Sequence, residues 1–431
     1  MPSNQLQAAA VEVDITPPVG TPMEGYAARK GVSLGIHDPL LGQLLLLKAG
    51  EKRLVLISLD LLGVNLDFTQ QVRMGIQQAI GAPLEGTLIA CSHTHSGAAG
   101  FLPPHPGISL PQAPDLQQMT ARKLIGAAIW AEQRLQPARL GIGRGSVAGI
   151  ALNRNDPEKG LVDNELVLLS VEDVRGNPLA VVMNHGCHPT VLGYDNLYFS
   201  ADYPGAARMT LRRIYPETTF LFTNGASGDI STRFTRCEQT YREVDRMGRL
   251  LAGEVLKVMQ AIKTQPDVEL NAKTVEVDLR FRSFPPVEVA RQEKERLQAE
   301  LEAMREAGAA HGAIRRAITR LEGANGQLLM AQELAGRTSN RSQMQALTVN
   351  ELGMIGVPGE PFTRTVLDIK AASPKAATIV ISYANDYQGY FPDAISIQEG
   401  SYEALISPYP AQVAESLAET ALKLLSHEQS V

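Results

Sequence analysis

Apolar runs of strand length recur along this chain, and many of them end on a histidine, an acidic residue or a glycine-bearing loop. Residues 40–47 and 53–59 are two such runs, and Asp60 follows the second. Residues 87–90 form another, with Cys91-Ser92-His93-Thr94-His95-Ser96-Gly97 directly after it. Residues 179–184 run into His185-Gly186-Cys187-His188-Pro189-Thr190, and residues 218–222 open into the loop from Asn224 to Ser231. Residues 345–354 lead to Pro358-Gly359-Glu360, and residues 377–382 lead to a loop carrying Tyr383, Tyr387 and Tyr390. Between these runs lie segments with helical character, at 68–80, 116–135, 203–214, 242–262 and 410–425. Short apolar runs bounded by turn residues fit buried strands, and apolar residues at i, i+3 and i+4 fit helices packed by one face. The alternation predicts an α/β fold: a mixed-sheet, layered domain with helices packed on the sheets. Reactive side chains just past buried strands point to the rim, where sites form in such folds.

Candidate site residues are scattered from position 37 to position 402, which predicts one domain over residues 1–431 rather than two separable ones. A helical hairpin insertion is expected within it at 285–340. Pro285-Pro286 punctuates its start, Leu297, Leu301 and Met304 recur at helical spacing, and so do Ile314, Ile318 and Leu321 beyond Gly308 and Gly312. It reads as a lid, a dimer contact or a peripheral excursion, and a homo-oligomer is compatible with it. The formal net charge of −6 argues against a general nucleic-acid binder. No apolar stretch is long enough for a transmembrane helix, and the first residues show no signal-peptide pattern. The three cysteines, Cys91, Cys187 and Cys237, are odd in number and widely spaced, which suits reduced thiols and a cytoplasmic location.

In an extended backbone alternate side chains share a face, so His93 and His95 are expected to point the same way at the strand end. Such a pair suits a metal, or a metal with an acid/base partner; two unrelated loop residues are the bland alternative. His37, just before a strand, and Asp60 are candidates to support the ligands from behind; a ligand histidine hands its other nitrogen to a carboxylate or a carbonyl, and Asp60 or Asp229 could supply it. Phe101, Leu102, Ile108 and Leu110, in a Gly/Pro-rich loop, could shape a pocket wall or simply pack a surface loop. The backbone of the loop from Asn224 to Ser231 could cradle an anion.

Several of these stretches together resemble the neutral/alkaline ceramidase family. They are Gly35-Ile36-His37, Ser92-His93-Thr94-His95-Ser96-Gly97, Asn153-Arg154, His188-Pro189-Thr190, Asn224-Gly225-Ala226-Ser227-Gly228-Asp229-Ile230-Ser231 and Pro358-Gly359-Glu360, with Tyr390 and Tyr402 beyond. They occur in the family's order and cover the chain from about Val11 to Tyr402, the extent of the family's catalytic domain. The resemblance implies a zinc-dependent amidohydrolase, in which metal-activated water attacks the C–N bond of an N-acyl or related small amide. By position it implies His93, His188, Glu360 and Tyr390 as zinc ligands, with Tyr387 the alternative to Tyr390. It implies catalytic or substrate-orienting roles for His95 and Arg154, an oxyanion contact for Tyr402, and an important serine at Ser231.

The residues themselves leave alternatives open. His95 suits proton transfer or a third imidazole ligand. Arg154 suits an oxyanion or a substrate carboxylate. Ser231 as a nucleophile needs an adjacent base, and the sequence offers none nearby, so a structural or substrate-contact role is preferred. A metal-independent serine hydrolase using Ser231, and a non-catalytic binding module, are the competing readings. Three departures from the family stand out. The stretch after the tyrosines is too short for the C-terminal β-sandwich domain of family members. No leader matches their frequent secretion or membrane association. Ser231 is followed by Thr232-Arg233 where ceramidases have Pro-Asn. These departures argue against ceramide itself as substrate.

Overall fold

The computed structural model describes residues 5–103 and 111–426. Ile108 and Leu110 lie outside them. An eight-stranded sheet is built from β1 (Leu6–Asp14), β2 (Leu41–Ala49), β3 (Lys52–Leu59), β4 (Thr87–Cys91), β5 (Gln136–Ser146), β6 (Glu165–Asp173), β7 (Pro178–His185) and β8 (Thr219–Asn224). Its spatial order is β8-β7-β6-β5-β1-β2-β3-β4. The pairs at the two edges, β3 with β4 and β7 with β8, are parallel, and the pairs between them are antiparallel. A four-stranded sheet follows, from β9 (Leu270–Arg280), β10 (Ser339–Val349), β11 (Leu352–Gly356) and β12 (Ala377–Ile381), in that order, with its last pair parallel.

The near-continuous apolar runs arise because these strands are covered on both faces. In β3, Leu54 and Leu56 face the smaller sheet, in one cluster with Leu347, Leu352, Met354 and Ile379. Val55, Ile57 and Leu59 face the other way, against α1 (Leu66–Ile80) and α2 (Pro114–Gln133). The other half of the large sheet is covered by α3 (Asp202–Arg212) and α4 (Tyr241–Met259), through Leu211, Met247, Leu251 and Val255. The order of layers is therefore helix, sheet, sheet, helix. The last layer is α7 (Thr363–Ala372) together with the C-terminal helix Ala411–Leu425, which pack on Ile355 and Val380 of the smaller sheet.

Between β9 and β10 lie α5 (Val287–Glu306) and α6 (His311–Glu333). Leu297 and Leu301 are buried on one face of α5. Gly323 and Gly326 of α6 lie against Leu405 and Ile406, where a Cβ atom would come within 2.6 and 2.9 Å of those side chains. Among the described residues no helix is long and apolar enough to cross a membrane. Phe101 and Leu102 belong to the α1–α2 core rather than to a pocket wall, with Phe101 edge-on to Phe68 at 5.4 Å.

Candidate metal centre

Four chain segments that leave the two sheets converge on one buried cluster. The first leaves β4. Ser92 N–H donates to Leu59 O, and His93 N–H to Leu61 O. To make that turn His93 takes a left-handed φ of 66°, which costs a non-glycine residue and is concentrated at functional sites. The extended backbone expected for the two histidines is thus not what brings them together. A tight turn does so, and their ring centroids are 4.8 Å apart.

The second segment leaves β7 and carries His188, and the third leaves β8. They are pressed together at Gly186, where a Cβ would lie 2.3 Å from Ala226 O. Asn224 ties three ends at once: its Oδ1 accepts Cys187 N–H, and its Nδ2 donates to Ser92 O and Cys187 O. In the loop that follows, three of the backbone donors expected to face an anion are already engaged. The N–H groups of Gly225, Gly228 and Ile230 already donate to His185 O, Pro361 O and Ser227 O.

Glu360, fully buried, comes from the segment after β11 and pairs in parallel with the Tyr390–Phe391 backbone. One carboxylate oxygen accepts the Tyr387 hydroxyl at 2.6 Å and lies 3.7 Å from His93 Nε2. The other accepts the Tyr383 hydroxyl at 3.3 Å and lies 3.1 Å from His188 Nε2. The Tyr383 ring stacks on His93 at 3.8 Å. Nitrogens of His93, His95 and His188 all fall within 4.8 Å of one another.

The imidazoles are set for metal ligation by their outer nitrogens. His93 Nδ1 is 2.6 Å from Leu62 O, and His188 Nδ1 is 3.0 Å from Ile230 O. A carbonyl requires an N–H, so Nε2 of each neutral ring carries the lone pair and faces the cluster. Burial pushes all three histidines well below the ordinary imidazole range, so they are neutral at neutral pH. Burial, and next the Glu360 charge, push Tyr383 and Tyr387 well above the ordinary phenol range, so both keep their protons and donate to Glu360. His188 Nε2 makes no well-formed hydrogen bond among the described residues, with the Ser227 backbone a second polar group beside the ring. Neither nitrogen of His95 has a well-formed hydrogen bond, the Gly25 backbone being the polar group beside it. Nε2 of His93 and His188 facing one carboxylate, with His95 beside them, is a donor set that could hold a divalent metal ion.

Arg154 is held at the edge of this cluster. Its Nε lies 2.8 Å from the buried Glu403, its Nη2 donates to Gly228 O, and its guanidinium lies 5.4 Å from the Tyr390 ring centroid. Burial works against its charge, but Glu403, Tyr390 and Glu360 outweigh it and hold the proton. Tyr402, partly exposed, opens the short helix Tyr402–Ile406 beside Glu403. Ser231 bridges to His188 through backbone, and its Oγ accepts Arg233 N–H.

Three expected supports of the histidines lie elsewhere. Asp60 pairs with Arg208 and accepts Leu41 N–H. Asp229 accepts from Asn153 and Thr363. His37 pairs with Asp38 and stacks on Tyr241 at 3.7 Å. Backbone carbonyls take the place assigned to these acids. Sequence reasoning also missed Glu403 and Tyr383. Glu403 directly follows Tyr402, and Tyr383 is the first tyrosine of the aromatic loop, which were the available signals.

The family model "Neutral/alkaline non-lysosomal ceramidase, N-terminal" matches residues 8–249, which hold His93, His95, Arg154, His188 and Ser231. Glu360, Tyr390 and Tyr402 lie beyond it. Neutral ceramidase A of Dictyostelium discoideum is 28% identical over 223 residues, 45% of this chain and 30% of that protein. Neutral ceramidase B of the same organism is 26% identical over 201 residues, 42% of this chain and 28% of that protein. The matched stretches thus span less than a third of either relative. The crystal structure of neutral ceramidase from Pseudomonas aeruginosa superposes with a TM-score of 0.77 at 17% identity, over 98% of this chain and 74% of that one. A ceramidase complexed with C2 gives a TM-score of 0.77 at 16% identity, over 98% of this chain and 75% of that one. At those identities the superpositions speak for the fold. With more than half of its length matched by the family model, this chain belongs to the neutral/alkaline non-lysosomal ceramidase family.

Proposed function

We propose that this chain is a zinc-dependent hydrolase of amide C–N bonds acting on small N-acyl substrates. The observation that carries the reading is the pinning of both Nδ1 atoms by carbonyls, which turns His93 Nε2 and His188 Nε2 onto the two oxygens of Glu360. In this reading His93, His188 and Glu360, with the phenol of Tyr390, hold the ion. Zinc so held supplies Lewis acidity toward the amide carbonyl and lowers the pKa of water.

The protein's own groups do the rest. His95, neutral and without a well-formed partner, takes a proton at a ring nitrogen and returns one to the departing amine nitrogen. Arg154 keeps its charge through Glu403, and with the Tyr402 hydroxyl it donates hydrogen bonds to the carbonyl oxygen as negative charge builds there. We take residues 1–431 as one catalytic unit with 285–340 as its insertion. A cytoplasmic location is part of the proposal, supported by three unpaired thiols.

The protein as purified is expected to carry zinc, by elemental analysis, and to lose amide hydrolysis on chelation and regain it with added zinc. Hydrolysis that survives complete chelation would end this reading. A second prediction concerns Gly25, whose φ is +114° and whose added Cβ would lie 2.7 Å from His95 Cγ. Gly25→Ala displaces the His95 ring, so kcat/KM is expected to fall on the order of 10²-fold in a protein that still folds. Unchanged kcat/KM would remove His95 from the chemistry.

A further inference from the structure

Two arginines lie close enough for their charges to bear on His95, Arg154 and Arg29. They are treated differently by the fold. Arg154 has Glu403 at 2.8 Å, so the charge that might have gripped a substrate carboxylate is already matched. Arg29 has no carboxylate at ion-pair distance among the described residues, and Asp195 acts on it only from further away. Its Nη1 donates to Glu24 O at 2.8 Å, and its guanidinium lies over the Tyr26 ring at 5.0 Å. Its Nε and Nη2 are buried without a hydrogen-bond partner among the described residues. Burial works against this charge and lowers its pKa, with Tyr26 and Asp195 offsetting only part of that.

Tyr26 is fixed by its hydroxyl, which donates to Leu192 O at 2.7 Å, and its ring lies 4.8 Å from the His95 ring. Arg29 is therefore one aromatic ring away from the imidazole assigned to proton transfer. Ala27, Ala28 and Lys30 beside it in the chain are exposed, and Arg29 itself is partly buried. Nε and Nη2 form the side of a guanidinium that meets a carboxylate with two parallel hydrogen bonds. Buried donors left unmatched are costly, and a charged one more so. A ligand carboxylate removes that cost, whereas a hydroxyl offers only one neutral acceptor.

We propose that Arg29 is a specificity-determining residue whose Nε–Nη2 edge receives a carboxylate of the substrate, so that the amides taken by this pocket are anionic N-acyl compounds of the N-acyl amino acid class. The proposal rests on the amidase reading for the bond that is cut, but not for the carboxylate that is held.

The test compares N-dodecanoylglycine with N-dodecanoylethanolamine, which share the acyl chain and the amide and differ in carboxylate against hydroxyl. The full chain as purified is used, with kcat/KM measured where the compounds are cleaved and Kd by calorimetry where they are not. The carboxylate compound is expected to be favoured by about 10-fold or more, the scale of a charge-assisted hydrogen-bond pair. Arg29→Gln is expected to bring the ratio to within roughly threefold, and Arg29→Lys, which keeps the charge and loses the fork, to an intermediate value. Equal treatment of the two compounds by the wild-type protein, no binding of either, or a ratio that survives Arg29→Gln each overturns the proposal; the last would mean that the carboxylate is held elsewhere. Should Arg29→Gln fail to fold, the wild-type ratio and Arg29→Lys decide. If neither compound is cleaved but the binding ratio holds, the amidase reading fails and the assignment of Arg29 stands.

Discussion

Glu360→Gln is expected to weaken the proposed zinc site and sharply reduce amide hydrolysis while leaving the fold in place. Among the described residues Glu360 is the carboxylate that touches both Nε2 atoms, at 3.7 and 3.1 Å. Both of its oxygens also accept a phenol, from Tyr387 and Tyr383. Glutamine keeps the volume but removes the negative charge and turns one acceptor into a donor. That donor would face a tyrosine hydroxyl or an imidazole lone pair, and the two neutral imidazoles alone would face a divalent ion. Bound zinc is expected to fall by roughly tenfold or more, since even the residues supporting metal ligands alter affinity by 10–100-fold. Hydrolysis should fall by about 10²–10³-fold, the scale of losing one well-placed electrostatic contact. Elemental analysis, steady-state kinetics and circular dichroism on the same preparation check the three parts. Full zinc occupancy and wild-type turnover in the folded variant would show that Glu360 is structural.

Arg208→Ala is expected to give a large loss of stability with no direct loss of metal. Asp60 is fully buried, Arg208 is nearly so, and the guanidinium holds both carboxylate oxygens. Removing the cation leaves an unmatched buried carboxylate, which costs about 3–5 kcal/mol in comparable sites. Burial already pushes Asp60 above its ordinary value of 3.8 against the pull of Arg208 and Leu41 N–H, and the variant should push it further. The sign of the pH dependence follows. A carboxyl with a raised folded-state pKa prefers the protonated folded form. Its penalty is absent below the unfolded value, grows as pH rises from the unfolded value to the folded one, and is constant above that. Urea unfolding should therefore show a smaller deficit for Arg208→Ala in mild acid than at neutral pH. A uniform deficit across that range would mean that lost packing, not the carboxylate, is responsible. Reduced zinc in folded Arg208→Ala or Asp60→Asn would return Asp60 to the role of histidine partner.

The contrast between Asp60 and Glu360 shows how far the sequence could be read. Both are acids that follow an apolar run, and local pattern does not separate them. What separates them is Arg208, 148 positions from Asp60, and the tyrosines that face Glu360. His37 was misplaced for the same reason, since Tyr241 and Asp38 claim its ring. The sharing of a pocket by His93 and His95 was expected, yet by the wrong geometry. The left-handed turn at His93 answers to the carbonyls of Leu61 and Leu62, and no residue type announces a carbonyl. Glu403 lay next to Tyr402 in plain view. Its purpose became visible only when Arg154, far away in the chain, was found against it.

Periodicity and residue type, both local properties, were enough to set out most of the strands and long helices and the chemical types gathered at the strand ends. They were enough because a strand covered on both faces must be apolar throughout, and because imidazole, carboxylate and phenol can be supplied only by particular side chains. The packing of the smaller sheet on the larger one decided the rest: which loops meet, and which nitrogen of each histidine is tied to a carbonyl. These are contacts between backbone and side-chain atoms far apart in the chain, and their free energy depends on positions in space that no single stretch of residues encodes.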